Sequence, residues 1–116
     1  MLNLNKYNDR NNLFTFESDD LEYMTASELI VEGESKSKFY PLKGFFINRK
    51  AKWQHPVLVC EKFKVSISTR FTDTFEEAFN DNELVEAIND DKVKVRFFRY
   101  ITKEGLDRYS YELKEV

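Results

Sequence analysis

Two hydrophobic periods alternate along this chain. Residues 39–49 are dense in aromatic and branched side chains, with Pro41 near the start, where a strand tolerates proline. Gly44 inside that run predicts a bulge or a sharp bend. Pro56 limits the next apolar run to 57–60, and Glu61 with Lys62 supplies a turn. Phe63, Val65 and Ile67 then alternate with Lys64, Ser66 and Ser68, the period-two signature of a half-buried strand. At Thr72 the spacing becomes helical: Phe75, Ala78 and Phe79 share a face, as do Leu84, Val85 and Ile88. Thr74 with Glu77 reads as a capping box, and Asp73 adds negative charge at the positive end of the helix dipole. Asn80, Asp81 and Asn82 either bend this helix or restart it, because such residues favour caps over interiors. Strands at 93–102 and 109–116, joined by a turn around Glu104-Gly105-Leu106-Asp107, complete the pattern.

Ahead of the first strand, Thr25-Ala-Ser-Glu28 forms another capping box, and Gly33 suits the stop of a helix of about two turns. Residues 1–24 are an acidic arm. It is either a disordered tail or a segment that docks through Leu2, Leu4, Leu13, Phe14 and Phe16. Residues 25–116 then form one α+β domain, mainly β, in the order β-β-β-α-β-β after a short helix. That order is the one used by the OB-fold, a five-stranded Greek-key barrel with a helix between its third and fourth strands. A helix packed on an open five-stranded sheet accounts for the same order less specifically.

Composition narrows the picture. A chain of 116 residues is one domain by size, and 16% aromatic content with eleven Phe predicts a Phe-rich core. A single cysteine cannot form an internal disulfide. No apolar run is long enough to span a bilayer, and the Met1 region lacks the apolar segment of a signal peptide. A cytoplasmic protein with no membrane partner is expected.

Charge changes the picture more. Residues 36–70 hold nine Lys or Arg and one acid, whereas residues 71–91 hold eight acids and no base. The first 35 residues carry two bases against eight acids, and the last 25 carry seven bases against four acids. A formal net charge of −3 therefore conceals two basic blocks and two acidic ones. Segregated charge steers partners, while net charge mostly governs solubility.

Alternation on the strand at 93–102 turns Val93, Val95 and Phe97 inward and puts Lys94, Arg96, Phe98 and Tyr100 on the opposite face. Cations neutralise phosphates and rings offer flat faces for bases, so this is the chemistry a single-stranded nucleic acid uses. The first strand adds Lys43, Phe45, Ile47 and Arg49 on one face by the same count. The loop 48–55 carries Arg49, Lys50, Lys52 and the only tryptophan, Trp53. An exposed Trp is favoured at binding sites. In the structural alternative the rings cover a core and Trp53 folds back over the end of the sheet.

His55 is the only histidine and Cys60 the only cysteine, so no metal site with a recognisable spacing is present, and no cofactor is expected. No Gly-rich phosphate loop, nucleophile elbow or catalytic triad is visible. Glu76 and Glu77 lie on a helix exterior, and no enzymatic activity is expected. Glu76, Glu77, Asp81 and Glu83 either solvate the helix or imitate a phosphate track for a protein that binds nucleic acid.

The stretch Gly44-Phe-Phe-Ile-Asn-Arg49, Lys52-Trp53, Pro56-Val57, Glu83-Leu-Val-Glu-Ala-Ile-Asn89 and Lys92-Val93 resembles short uncharacterised proteins of phages and plasmids of Gram-positive bacteria. The likeness covers residues 38–113. It implies a mobile-element setting, in which handling of single-stranded DNA and inhibition of host defence or replication proteins are common tasks. The expected function is non-enzymatic binding of single-stranded nucleic acid with low sequence specificity. Its residues are Lys43, Arg49, Lys50, Lys52, Trp53, Lys94, Arg96, Phe98 and Tyr100. The alternative is an inhibitor that binds a host protein, such as a nuclease, through Glu76, Glu77, Asp81 and Glu83.

Overall fold

The computed structural model describes residues 13–116. Leu2 and Leu4 of the arm lie outside the described residues. Ten elements follow one another. They are β1 (Glu22–Met24), α1 (Ala26–Leu29), β2 (Tyr40–Asn48), β3 (His55–Cys60), β4 (Phe63–Ser66), a 3-10 turn (Thr69–Phe71), α2 (Thr72–Ala78), α3 (Asn82–Asn89), β5 (Val93–Ile101) and β6 (Asp107–Glu115). The fold is α+β, mainly β. It has one six-stranded sheet in the order β1-β4-β3-β2-β5-β6, and the sheet is not closed.

Its sixth strand departs from expectation. β1 lies within the acidic arm and pairs in parallel with β4, Tyr23 opposite Lys64. The described part of the arm is therefore tied to the domain at both ends: beyond β1, the Phe14 ring lies 4.8 Å from that of Phe45, and Asn89 of α3 bonds both sides of the arm backbone. Its Oδ1 accepts from the Thr15 N–H (3.0 Å) and its Nδ2 donates to the Leu13 carbonyl (3.0 Å).

Gly44 does mark a bulge. Leu42 stands opposite Cys60 and Gly44 opposite Val59, so β2 spends two steps where β3 spends one, with Lys43 the extra residue. The extra residue resets the alternation, and Leu42, Phe45 and Ile47 all face the core. This corrects the face assigned to Lys43, Phe45, Ile47 and Arg49. Phe45 is fully buried, ringed by Phe14, Phe75 and Phe79.

The helices also start and stop differently. α1 keeps its capping box, with the Thr25 hydroxyl accepting from the Glu28 N–H and the Glu28 carboxylate from the Thr25 N–H, but lasts one turn and ends at Ile30. Ser68 caps the 3-10 turn, which runs directly into α2. Thr74 is therefore inside α2 rather than its cap. Asp81 restarts the helix, its carboxylate accepting from the Leu84 N–H at 3.1 Å. Together α2 and α3 press onto the core side of β2 and β3, and Phe75, Phe79 and Ile88 join the core cluster there. β3, near the middle of the sheet, is buried on both faces from Pro56 to Cys60.

Candidate functional site

β5 presents the alternation that its sequence predicts. Val93, Val95 and Phe97 are buried, while Lys94, Arg96, Phe98 and Tyr100 are half-buried on the opposite, outer face. The antiparallel register with β6 sets four more side chains beside them: Lys114 opposite Lys94, Glu112 opposite Arg96, Ser110 opposite Phe98 and Arg108 opposite Tyr100. Residues directly opposite on antiparallel strands point to the same face, so the eight form one patch.

The other flank of β5 is held by the segment before β2. Ser37 is buried. Its N–H donates to the Phe97 carbonyl (2.8 Å), and its hydroxyl accepts from the Phe97 N–H (2.9 Å) while donating to the Lys38 carbonyl (2.8 Å). That clamp puts Lys36 in a bridge with Phe98 and brings Phe39 under the guanidinium of Arg96 (4.6 Å) and the ammonium of Lys114 (5.2 Å). The patch thus gathers Lys36, Lys94, Arg96, Arg108 and Lys114 around a single acid, Glu112. Arg96 Nε donates to Glu112 at 2.7 Å. That hydrogen bond first, and the nearby charges of Arg96, Lys36 and Lys114, hold the Glu112 carboxyl below its usual range. The Phe98 and Tyr100 rings lie 6.2 Å apart, tilted by 45°. Phe39 is already covered by cations, and the Arg70 guanidinium lies 5.7 Å from the Tyr100 ring, so Phe98 is the patch ring that no cation covers among the described residues.

Lys36, Phe39, Arg108 and Lys114 were not among the residues expected from sequence. For Arg108 and Lys114 a signal was present, since they alternate along residues 107–115 at the same period as Lys94 and Arg96. Only the register shows that both alternations share a face.

The remaining expected residues fall elsewhere. Lys43, displaced by the bulge, pairs with Asp91 and lies 5.7 Å from the Phe16 ring. Asp91 takes a left-handed φ of 61° at the end of α3. Arg49 pairs with Glu76 of α2 and also donates to Gln54 Oε1 (3.3 Å). Both cations are occupied by acids of the 71–91 block. Lys50, Lys52 and Trp53 belong to the loop between β2 and β3, and no hydrogen bond, ion pair or ring contact joins them to the β5–β6 patch among the described residues.

That loop is built from its own polar atoms. Asn48 Oδ1 accepts from the Lys50 and Ala51 N–H groups (3.1 and 3.3 Å), and His55 Nδ1 donates to the Trp53 carbonyl (3.0 Å). This fixes the His55 tautomer when the ring is neutral, so Nε2 accepts from the Ser66 hydroxyl at 3.2 Å. Thr72 donates to the Gln54 carbonyl (3.1 Å) and ties the loop to α2. Pinned through its backbone, Trp53 leaves 68% of its surface exposed, with Lys52 5.8 Å from its ring. It does not fold back over the sheet.

Of the acids proposed for mimicry, Glu76 is engaged by Arg49 and Asp81 caps α3. Glu77 and Glu83 are exposed, with no ion pair among the described residues. Cys60 is buried, which pushes its thiol up to about 12, so the thiolate is suppressed at neutral pH. No cluster of three or more His, Cys, Asp or Glu that could hold a metal occurs among the described residues. No described helix is long and apolar enough to cross a membrane.

The fold and patch together define a small α+β domain with a cation-and-ring face on one end of its sheet. Comparison with protein-family models, curated proteins and solved structures finds no match.

Proposed function

We propose that this chain is a non-enzymatic domain that binds single-stranded nucleic acid, with little sequence preference, across the outer face of β5 and β6. The observation that carries the reading is the convergence of Lys36, Lys94, Arg108 and Lys114, none of them ion-paired among the described residues, around the half-buried rings of Phe98 and Tyr100. Cations beside rings bind the backbone and the bases together without reading an edge pattern. The exposed Trp53, flanked by Lys50 and Lys52, offers a second contact on the same strand. The run β4-β3-β2-β5-β6, with the helices between β4 and β5, gives the neighbours of an OB-type Greek key opened between β4 and β6. A mobile-element setting, as the resemblance implies, would suit such a domain, acting in the cytoplasm. The rival reading, an inhibitor that binds a host protein through the acidic helices, keeps only Glu77 and Glu83 of its four acids uncommitted.

Fluorescence anisotropy with labelled oligo-dT tests the proposal. Binding at micromolar protein in low salt is expected, and its absence would overturn the reading. Replacing Phe98 and Tyr100 together with Ala should weaken binding by about 1–3 kcal/mol for each base unstacked. Trp53 is the sole tryptophan, so quenching of its emission reports directly whether the loop engages.

A further inference from the structure

β4 and β6 are not hydrogen-bonded to each other, and the seam between them opens as a cleft of about 500 Å³. Ser68 and Arg70 line one wall; Asp107, Arg108, Tyr109 and Ser110 line the other. The volume falls within the range of small-ligand pockets.

Its chemistry is specific. Arg70 and Arg108 are lining residues on opposite walls of the cleft, and neither pairs with a carboxylate among the described residues. The Arg70 guanidinium is held by rings, 4.5 Å from Phe71 and 5.7 Å from Tyr100, with its planar donor edge free of any carboxylate. Ser68 Oγ accepts from the Arg70 N–H (3.3 Å), which leaves its own proton to donate. Two guanidinium groups and two hydroxyls suit the oxygens of a phosphate monoester, which Arg binds in a forked geometry. Asp107 makes a purely anionic ligand a poor fit, but accepts from a base N–H. Tyr109, 37% exposed, supplies a ring face on which that base can lie.

We propose that the seam is a pocket for a nucleotide carrying a terminal phosphate monoester. Arg108 belongs both to the seam wall and to the outer patch, so the nucleotide is the end of the strand lying on β5 and β6. That last step rests on the proposed function, whereas the pocket itself does not.

Titration of the full chain with dTMP, thymidine and inorganic phosphate, followed by amide chemical shifts, tests the pocket. The amides of 68–70 and 107–110 should move with dTMP, which should bind at least about tenfold more tightly than thymidine or phosphate alone, the worth of one charge-assisted hydrogen bond. Arg70→Gln, at an exposed position, should abolish that preference, as should Arg108→Gln. Equal affinities for dTMP and thymidine, or shifts confined to other surfaces, would overturn the pocket. Oligo-dT phosphorylated at its 5′ or its 3′ end then tests strand entry: one of the two should bind about tenfold more tightly than the unphosphorylated strand, and Arg70→Gln should erase the gain. If dTMP moves the seam while no oligonucleotide binds, the pocket stands and the strand reading falls. If oligonucleotides bind and dTMP leaves the seam unmoved, the pocket falls alone.

Discussion

Glu112 is the one acid of the β5–β6 patch, and removing its charge without its shape, as Glu112→Gln, should strengthen binding and steepen its salt dependence. In the native chain Lys36, Lys94, Arg108 and Lys114 are free to meet phosphates, while Arg96 is held by Glu112. Each phosphate neutralised on a single strand contributes about −0.7 to the slope of log K against log salt, so those four predict about −2.8. Freeing Arg96 adds one contact and takes the slope to about −3.5. Between about 50 and 200 mM salt the native chain should then lose about 50-fold in affinity and the variant about 130-fold. Anisotropy titrations with oligo-dT across that range measure both slopes. The pH dependence carries the same sign. Glu112's pKa is lowered in the folded chain, so its charge, and the stability it gains from Arg96, is present above the ordinary carboxylate range. Both are lost as pH falls through the lowered value, and binding should tighten there. A Glu112→Gln variant with an unchanged slope and unchanged affinity would refute the idea that phosphates meet this face.

Two further outcomes follow from packing. A Cβ at Gly44 would lie 3.0 Å from Phe14 Cγ and 3.2 Å from two further Phe14 carbons, so Gly44→Ala should destabilise the fold by about 1–3 kcal/mol through overpacking. Where space is open, the same change stabilises by about 0.4–1 kcal/mol, so a raised urea midpoint would show that the arm does not rest there. Buried Cys60, with its pKa pushed to about 12, should resist a disulfide reagent at pH 8 in native buffer and react only on unfolding. Because that pKa is raised in the folded state, its contribution to stability is complete below the unfolded thiol's value of 9.0 and falls as pH rises toward 12. Rapid stoichiometric labelling of the native chain would contradict the burial.

Local pattern carried much of this fold. The alternation of β5 put Lys94, Arg96, Phe98 and Tyr100 on one face before any register was known, and Gly44 marked its bulge. What a bulge does to the residues beyond it was harder to read, because one added residue exchanges the faces of everything that follows. Lys43 and Phe45 were misplaced for that reason. β1 left almost no trace, since a three-residue parallel strand draws its stability from β4, some forty residues downstream, and not from its own periodicity. The false cap at Thr74 has a related cause. The Thr-x-x-Glu spacing is present, but Ser68 had already begun the turn that feeds α2. Trp53's exposure depends on the backbone bonds made by Asn48 and His55, which composition cannot reveal.

The sorted charge acquires a different meaning once its pairs are known. The acidic block of residues 71–91 compensates the first basic block internally, Asp91 just past α3 against Lys43 and Glu76 of α2 against Arg49. No helical acid is ion-paired with the cations of β5 and β6 among the described residues, where their one ion-pair partner is Glu112. An uncompensated field therefore remains around that face, and at physiological salt it reaches about 8 Å before screening removes it. If the sheet binds a polyanion as proposed, exposed carboxylates such as Glu77 and Glu83 should repel it, and the acidic helices would then act as an orienting charge. On that proposal a phosphate chain meeting the domain should be turned toward β5 and β6, and reversing Glu77 and Glu83 to Lys should blur the preference by opening a second, weaker site on the helices, which anisotropy with oligo-dT would read as added binding.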